Sequence, residues 1–157
     1  MRFLAGLGRA WRVPLRRKWM LAQALGHTAA ACAMVRLVPY KYWRSRLGER
    51  VALQSADHIA RPAELSENAL LSDIAWAHAL LGRLFEKRFT CLMLALSAQS
   101  MLRQRRRESL LLLGVKRAHD IDAHAWVESE GFDIVGGRTR NGHVPVAAYC
   151  KRWRTAA

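Results

Sequence analysis

Acidic residues are scarce in this chain. Its 157 residues hold 12 Asp and Glu against 26 Lys and Arg, for a net charge of +14. Within residues 1–50 the single acid is Glu49, set against eleven Lys and Arg. Further basic clusters are Arg103 with Arg105–Arg107, and Lys151, Arg152 and Arg154. Such an imbalance suits an acidic peptide, nucleic acid or a membrane surface, and equally a solvated basic shell around an ordinary domain.

Cysteine is also sparse. Cys32, Cys91 and Cys150 are odd in number and irregular in spacing, which implies no disulfide framework and no metal knuckle. His27, His58, His78, His119 and His143 show no ligand spacing, so neither a metal nor a cofactor is expected. Reduced thiols fit a cytoplasmic protein.

Long apolar runs are missing. Met1–Ala10 is too short, and too interrupted by Arg9 and the nearby Arg12, for a signal-peptide core. Trp19–Val35 is uncharged but short for a span, and it contains Gln23, His27 and Thr28. A buried or interfacial helix is expected there, with Arg16, Arg17, Lys18 and Arg36 at its ends as candidates for peripheral contact with anionic lipid. No repeat or low-complexity tract is present. About half the residues are hydrophobic, which gives one domain a real core.

The local signals divide the chain. Pro14 suits a helix start and Pro39 a stop, so a helix is predicted over about 15–38. The aromatic and basic string Tyr40–Leu47 follows, closed by Gly48. Residues 49–66, with Pro62, read as a loop. Ser66, Asn68 and Asp73 signal a helix over about 67–86, with Leu70, Leu71, Ile74, Ala77, Leu81 and Leu84 at helical spacing. Thr90 suits the N-cap of a helix from Cys91 to about Gln104, apolar nearly all round in its first half and so buried.

The period then changes. Leu110–Val115 reads as a strand buried on both faces. Asp122–Glu128 alternates, which puts Asp122, His124, Trp126 and Glu128 on one face. Glu130-Gly131 signals a tight turn, Phe132–Val135 the next strand, and His143–Tyr149 one more. Helices first and strands afterwards predict an α+β domain, with N-terminal helices packed on a small antiparallel sheet. The division expected is a helical N-terminal extension over 1–66 and a core over 67–157, within one domain of 1–157.

Cys91 and His124, 33 residues apart, carry the chemistry. A thiolate is the nucleophile, and the unpaired N–H groups at a helix start favour negative charge. The same groups suit the oxyanion of a tetrahedral intermediate. A histidine across from the thiol would take its proton and return it to a leaving amine. Singly, each residue is as well explained as a core thiol and a hydrogen-bonded strand histidine.

The surrounding words are more specific. Thr-Cys-Leu-Met-Leu-Ala-Leu-Ser (90–97), Leu-Leu-Leu-Gly-Val-Lys-Arg (111–117), Ala-His-Ala-Trp-Val-Glu (123–128) and Phe-Asp-Ile-Val-Gly-Gly (132–137) follow in order, after Arg-Leu-Val-Pro-Tyr (36–40) and Leu-Gly (47–48). Together they resemble the lasso-peptide leader peptidases, transglutaminase-like (papain-like) cysteine proteases of peptide natural-product biosynthesis. The resemblance implies Cys91 as nucleophile and His124 as general base. It implies three partners: the precursor peptide, a leader-recognition protein and an ATP-dependent lasso cyclase. Other members carry the leader-recognition domain fused at the N-terminus. Here no segment is left for it, so a separate subunit is expected, with the N-terminal basic surface as its candidate docking face.

The family usually has an acid on the strand after the histidine, where this chain reads Ile-Val-Gly-Gly. A two-residue turn at Glu130-Gly131 would set Gly137 opposite His124 and Asp133 opposite Glu128. Asp122, roughly 7 Å along the same face, Asn141 or a backbone carbonyl are the candidates to orient the ring. The rival classes are a non-catalytic basic protein for membrane or nucleic acid, which leaves the thiol's position unexplained, and an acyl transferase on the same fold.

Overall fold

The computed structural model describes residues 13–53, 68–86, 88–117, 121–137 and 142–152. Pro62, Ser66 and Asn141 lie outside them.

Pro14 has ψ 144°, outside the helical range, and its carbonyl accepts from Arg17 N at 2.9 Å, opening α1, Leu15–Leu37. Val38 is extended, as the residue before Pro39 must be. The aromatic string folds as a one-turn helix α2, Tyr40–Trp43, and a 3-10 turn, Arg44–Leu47. Gly48 then takes φ +114°. The next residues correct the expected loop: Glu49–Val51 form β1. Three residues in the pattern acid–base–Val carry no readable period, and their pairing is set by a distant strand.

Asn68 caps α3, Ala69–Leu84, by accepting from Leu71 N at 3.4 Å. Thr90 caps α4, Cys91–Gln104, by accepting from Met93 N at 3.4 Å. Four longer strands follow: β2, Ser109–Arg117; β3, Ile121–Ser129; β4, Phe132–Val135; and β5, Val144–Lys151. The sheet is antiparallel throughout, in the order β1-β5-β2-β3-β4.

The helices cover one face. α4 packs on β2, β3 and β4, α3 packs on β4, and α1 lies over α3 and α4. This explains why α4 is apolar nearly all round: Met93–Gln99, Met101 and Leu102 are buried between α1 and the sheet. The helix-side core includes Leu111, Ala125 and Val127. On the other face Leu110, Leu112, Trp126, Ala148 and Cys150 form a second cluster. The two clusters are the two faces of β2, buried on both as its aliphatic run requires.

Polar groups fix the helix layer. Thr28 Oγ1 donates to Ser97 Oγ at 2.9 Å, and Ser97 Oγ lies 3.0 Å from His78 Nε2. His78 Nδ1 donates to the Ile74 carbonyl at 2.9 Å. At the start of α1, Arg16 and Arg17 both reach the buried Asp73 carboxylate of α3, at 2.5 and 2.9 Å. Two of the cations expected on a docking face are therefore engaged in holding α1 to α3. No described helix is long and apolar enough to cross a membrane.

Candidate active site

Cys91 is the first residue of α4. The approach to it is built by a tight loop: Arg88 N and Phe89 N both donate to the Phe85 carbonyl, and the Phe85 and Phe89 rings meet at 5.2 Å. Arg36 of α1 donates to the Arg88 carbonyl at 2.9 Å, tying the loop to the helix layer. The Cys91 side chain is half-buried and packs against the helix-side core.

His124 lies on β3, opposite Gly114 of β2. The expected stripe is present. The His124 and Trp126 rings stack at 6.1 Å with 19° between planes, and Trp126 Nε1 donates to the buried Glu128 carboxylate at 3.1 Å. Gly114 makes room for this: a Cβ there would sit 2.7 Å from the Trp126 ring.

The strand after the histidine holds the main surprise. The turn Glu130-Gly131 is two residues long, with φ of 51° and 82°, and Asp133 does pair with Glu128. A β-bulge then shifts the register, so that Val135 rather than Ile134 pairs with Val127. The chain leaves the sheet at Gly136, whose carbonyl oxygen lies 3.0 Å from His124 Nε2. It is Gly136, not Gly137, that meets the imidazole. Gly136 has φ +80°, and a Cβ there would lie 2.7 Å from the Ala125 carbonyl and 3.1 Å from His124 Nε2. Only glycine fits both restrictions.

The carbonyl sets the tautomer. A carbonyl only accepts, so Nε2 carries the proton and Nδ1 is left with its lone pair. A general base acting through Nδ1 needs that arrangement.

The candidate carboxylates lie elsewhere. Asp122 Oδ2 is 3.1 Å from Nε2 of His143, not on His124. The His143 ring in turn lies 5.2 Å from that of His124, and its side chain is 7% exposed. Sequence reasoning passed over His143 because its neighbour is supplied by the β2–β5 register, with Val144 opposite Val115. The Asp133 carboxylate folds back against Gly137, where a Cβ would be 2.1 Å from Asp133 Cγ.

The structure thus gathers Asp122, His124, His143 and Gly136. It does not join Cys91 to them: among the described residues no hydrogen bond links the thiol to His124. Ala125 and Val127 face the helix-side core with Cys91, while His124 shares the side of Trp126. β4 pairs with β3 only from Val127 to Ser129, so His124 lies beyond the paired part of that edge. Among the described residues no group of side chains is arranged to hold a metal ion.

No curated protein and no solved structure matches the chain. A family model for the transglutaminase-like superfamily matches residues 34–147, from the end of α1 to within β5. A match over well more than half of its length makes this chain a member of the transglutaminase-like superfamily.

Proposed function

We propose that the protein is a cysteine peptidase that removes the leader from a lasso-peptide precursor. The superfamily includes cysteine proteases and transglutaminases, whose chemistry begins with the same thiol attack. The observation that carries the reading is the hydrogen bond between His124 Nε2 and the Gly136 carbonyl. It offers, with backbone, an acceptor for the ring nitrogen where the family usually has an acid, and it favours the tautomer in which Nδ1 carries the lone pair.

In this reading Nδ1 takes the Cys91 proton as the sulfur adds to the scissile carbonyl. The unpaired N–H groups at the start of α4 hold the oxyanion. The imidazolium then protonates the leaving amine, the C–N bond breaks, and the acyl group stays on sulfur. A water that gives its proton to Nδ1 hydrolyses the thioester and restores the thiol. Since Cys91 packs on the helix side of the sheet and His124 shares the side of Trp126, this reading requires one of the two to move around the edge of β3 that β4 leaves unpaired before attack. The precursor peptide, a leader-recognition protein and an ATP-dependent cyclase are the partners, and the reaction belongs in the cytoplasm.

The test is leader cleavage with all partners supplied. Cys91→Ala abolishes cleavage, and His124→Ala lowers its rate by about 10²–10⁴-fold. Cleavage by Cys91→Ala at the wild-type rate overturns the proposal. A second readout addresses the approach of the two side chains: in His124→Cys, mild oxidation joins Cys91 to the new thiol. Transfer to an amine in place of water is the acyl-transferase reading that the superfamily also supports. Mass analysis of the product tells an amide from a free acid.

A further inference from the structure

One cavity is lined by three cations and no acid. It has a volume of about 310 Å3 and lies between α1, the 3-10 turn, α4 and the end of β5. Arg46 comes from the turn, Arg103 from the last turn of α4, and Lys151 from the last position of β5, with Ser100 and His27 beside them. Three arginines elsewhere meet acids: Arg16 and Arg17 reach Asp73, and Arg107 reaches Glu130 at 2.7 Å. Among the described residues Arg46, Arg103 and Lys151 have no ion pair.

A basic cluster is usually a solvated face, with side chains free to spread apart. Here the backbone that carries the cations is held together. Gln99 Nε2 of α4 donates to the Leu47 carbonyl at 3.1 Å, which pins the turn that carries Arg46 to the helix that carries Arg103. Gly48 lies against β5 so closely that a Cβ would be 3.0 Å from Lys151 Cγ. Lys151 is half-buried. Burial first, then the Arg103 and Arg46 charges, bring its ammonium down to about 8. Three like charges are thus grouped around a space that no carboxylate of the described residues lines.

We infer that this cavity binds a phosphoryl group, carried by a soluble phosphate compound or by a lipid headgroup. Two guanidinium forks and an ammonium match a tetrahedral dianion better than a planar monoanion, and Ser100 adds a hydroxyl donor. Arg103 is 12 residues beyond Cys91 on α4, about 18 Å along the axis. The site is therefore separate from the candidate catalytic residues and does not depend on the peptidase reading.

Pyrophosphate titrated into the full-length protein at constant ionic strength provides the test, followed by calorimetry. One site is expected. The double variant Arg103→Gln/Lys151→Gln loses at least about tenfold in affinity, whereas Arg83→Gln, which removes a cation from α3 outside the cavity, changes it less than about twofold. Arg46→Gln, at an exposed position, repeats the loss should the double variant fold poorly. Vesicles of phosphatidylcholine with phosphatidic acid, against phosphatidylserine at equal charge, separate the sources. Preference for phosphatidic acid that pyrophosphate competes away identifies a headgroup, and pyrophosphate binding without vesicle preference identifies a soluble ligand. Equal weakening by Arg83→Gln, or no change in the cavity variants, overturns the inference.

Discussion

His124 is held by an atom that no side-chain motif encodes. A hydrogen-bond partner of its Nε2 is the Gly136 carbonyl, which donates nothing and carries no full charge. It orients the ring without stabilising an imidazolium as a carboxylate would. The proposed base thus depends on backbone shape at one glycine. Gly136→Ala combines a left-handed φ with contacts under 3.2 Å to Ala125 and His124, and it should lower leader cleavage by about 10²-fold through misplacement of the ring. A folded protein with unaltered cleavage would remove Gly136 from the site. Asp122→Asn tests the opposite assignment. Its carboxylate faces His143, so cleavage should stay within about threefold of wild type. A loss near that of His124→Ala would restore Asp122 as the orienting acid.

At the level of elements, what the sequence made legible is what local chemistry controls. Pro14, Asn68, Thr90 and the stop before Pro39 each act within one helical turn, and the three long helices begin and end within about two residues of expectation. The face of β3 followed from its alternation. Two features that were not legible are set by register between strands distant in sequence, β1 against β5 and His143 beside Asp122, and the third is a one-residue bulge inside the β3–β4 hairpin. Cys91 illustrates the same divide, because its place at a helix start was readable and its relation to His124 was not. Two predictions belong to this scale. Thr90→Ala removes the acceptor for Met93 N and should cost about 1 kcal/mol in urea unfolding. It also loosens the turn that presents Cys91, so alkylation of that thiol should change in rate. Replacing both Arg16 and Arg17 by Ala strands the buried Asp73 carboxylate and should cost about 3 kcal/mol. Asp73→Ala should cost less, since it leaves two largely exposed guanidiniums in water. Equal costs would mean that the α1–α3 contact rests on apolar packing alone.

The whole molecule carries a charge of +14, and acid increases it as carboxylates protonate. One buried group adds a more specific sensitivity. His78 is 1% exposed, between α1, α3 and α4. Burial above all, and weakly the charge of His27, bring its imidazole down to about 4, against the opposing hydrogen bond to the Ile74 carbonyl. The unfolded chain therefore binds a proton near pH 6.5 that the folded chain refuses until about pH 4. Stability is greatest where the unfolded state has lost that proton, and it falls as pH drops from 6.5 toward 4. A gap of that size corresponds to something on the order of 3 kcal/mol. The neutral ring suits its neighbours: with Nδ1 donating to Ile74, Nε2 accepts from Ser97, which accepts from Thr28. His78→Gln keeps a polar partner for Ser97 and removes the titration. Urea unfolding of wild type and variant at pH 7.5, 6, 5 and 4 isolates the effect from that of the carboxylates, which both proteins share. The difference in stability between the two should shift in favour of the variant as pH falls below 6.5, and level off below 4. Parallel curves would show that His78 is protonated in the fold as readily as outside it, and that the acid sensitivity of this basic protein comes from overall repulsion instead.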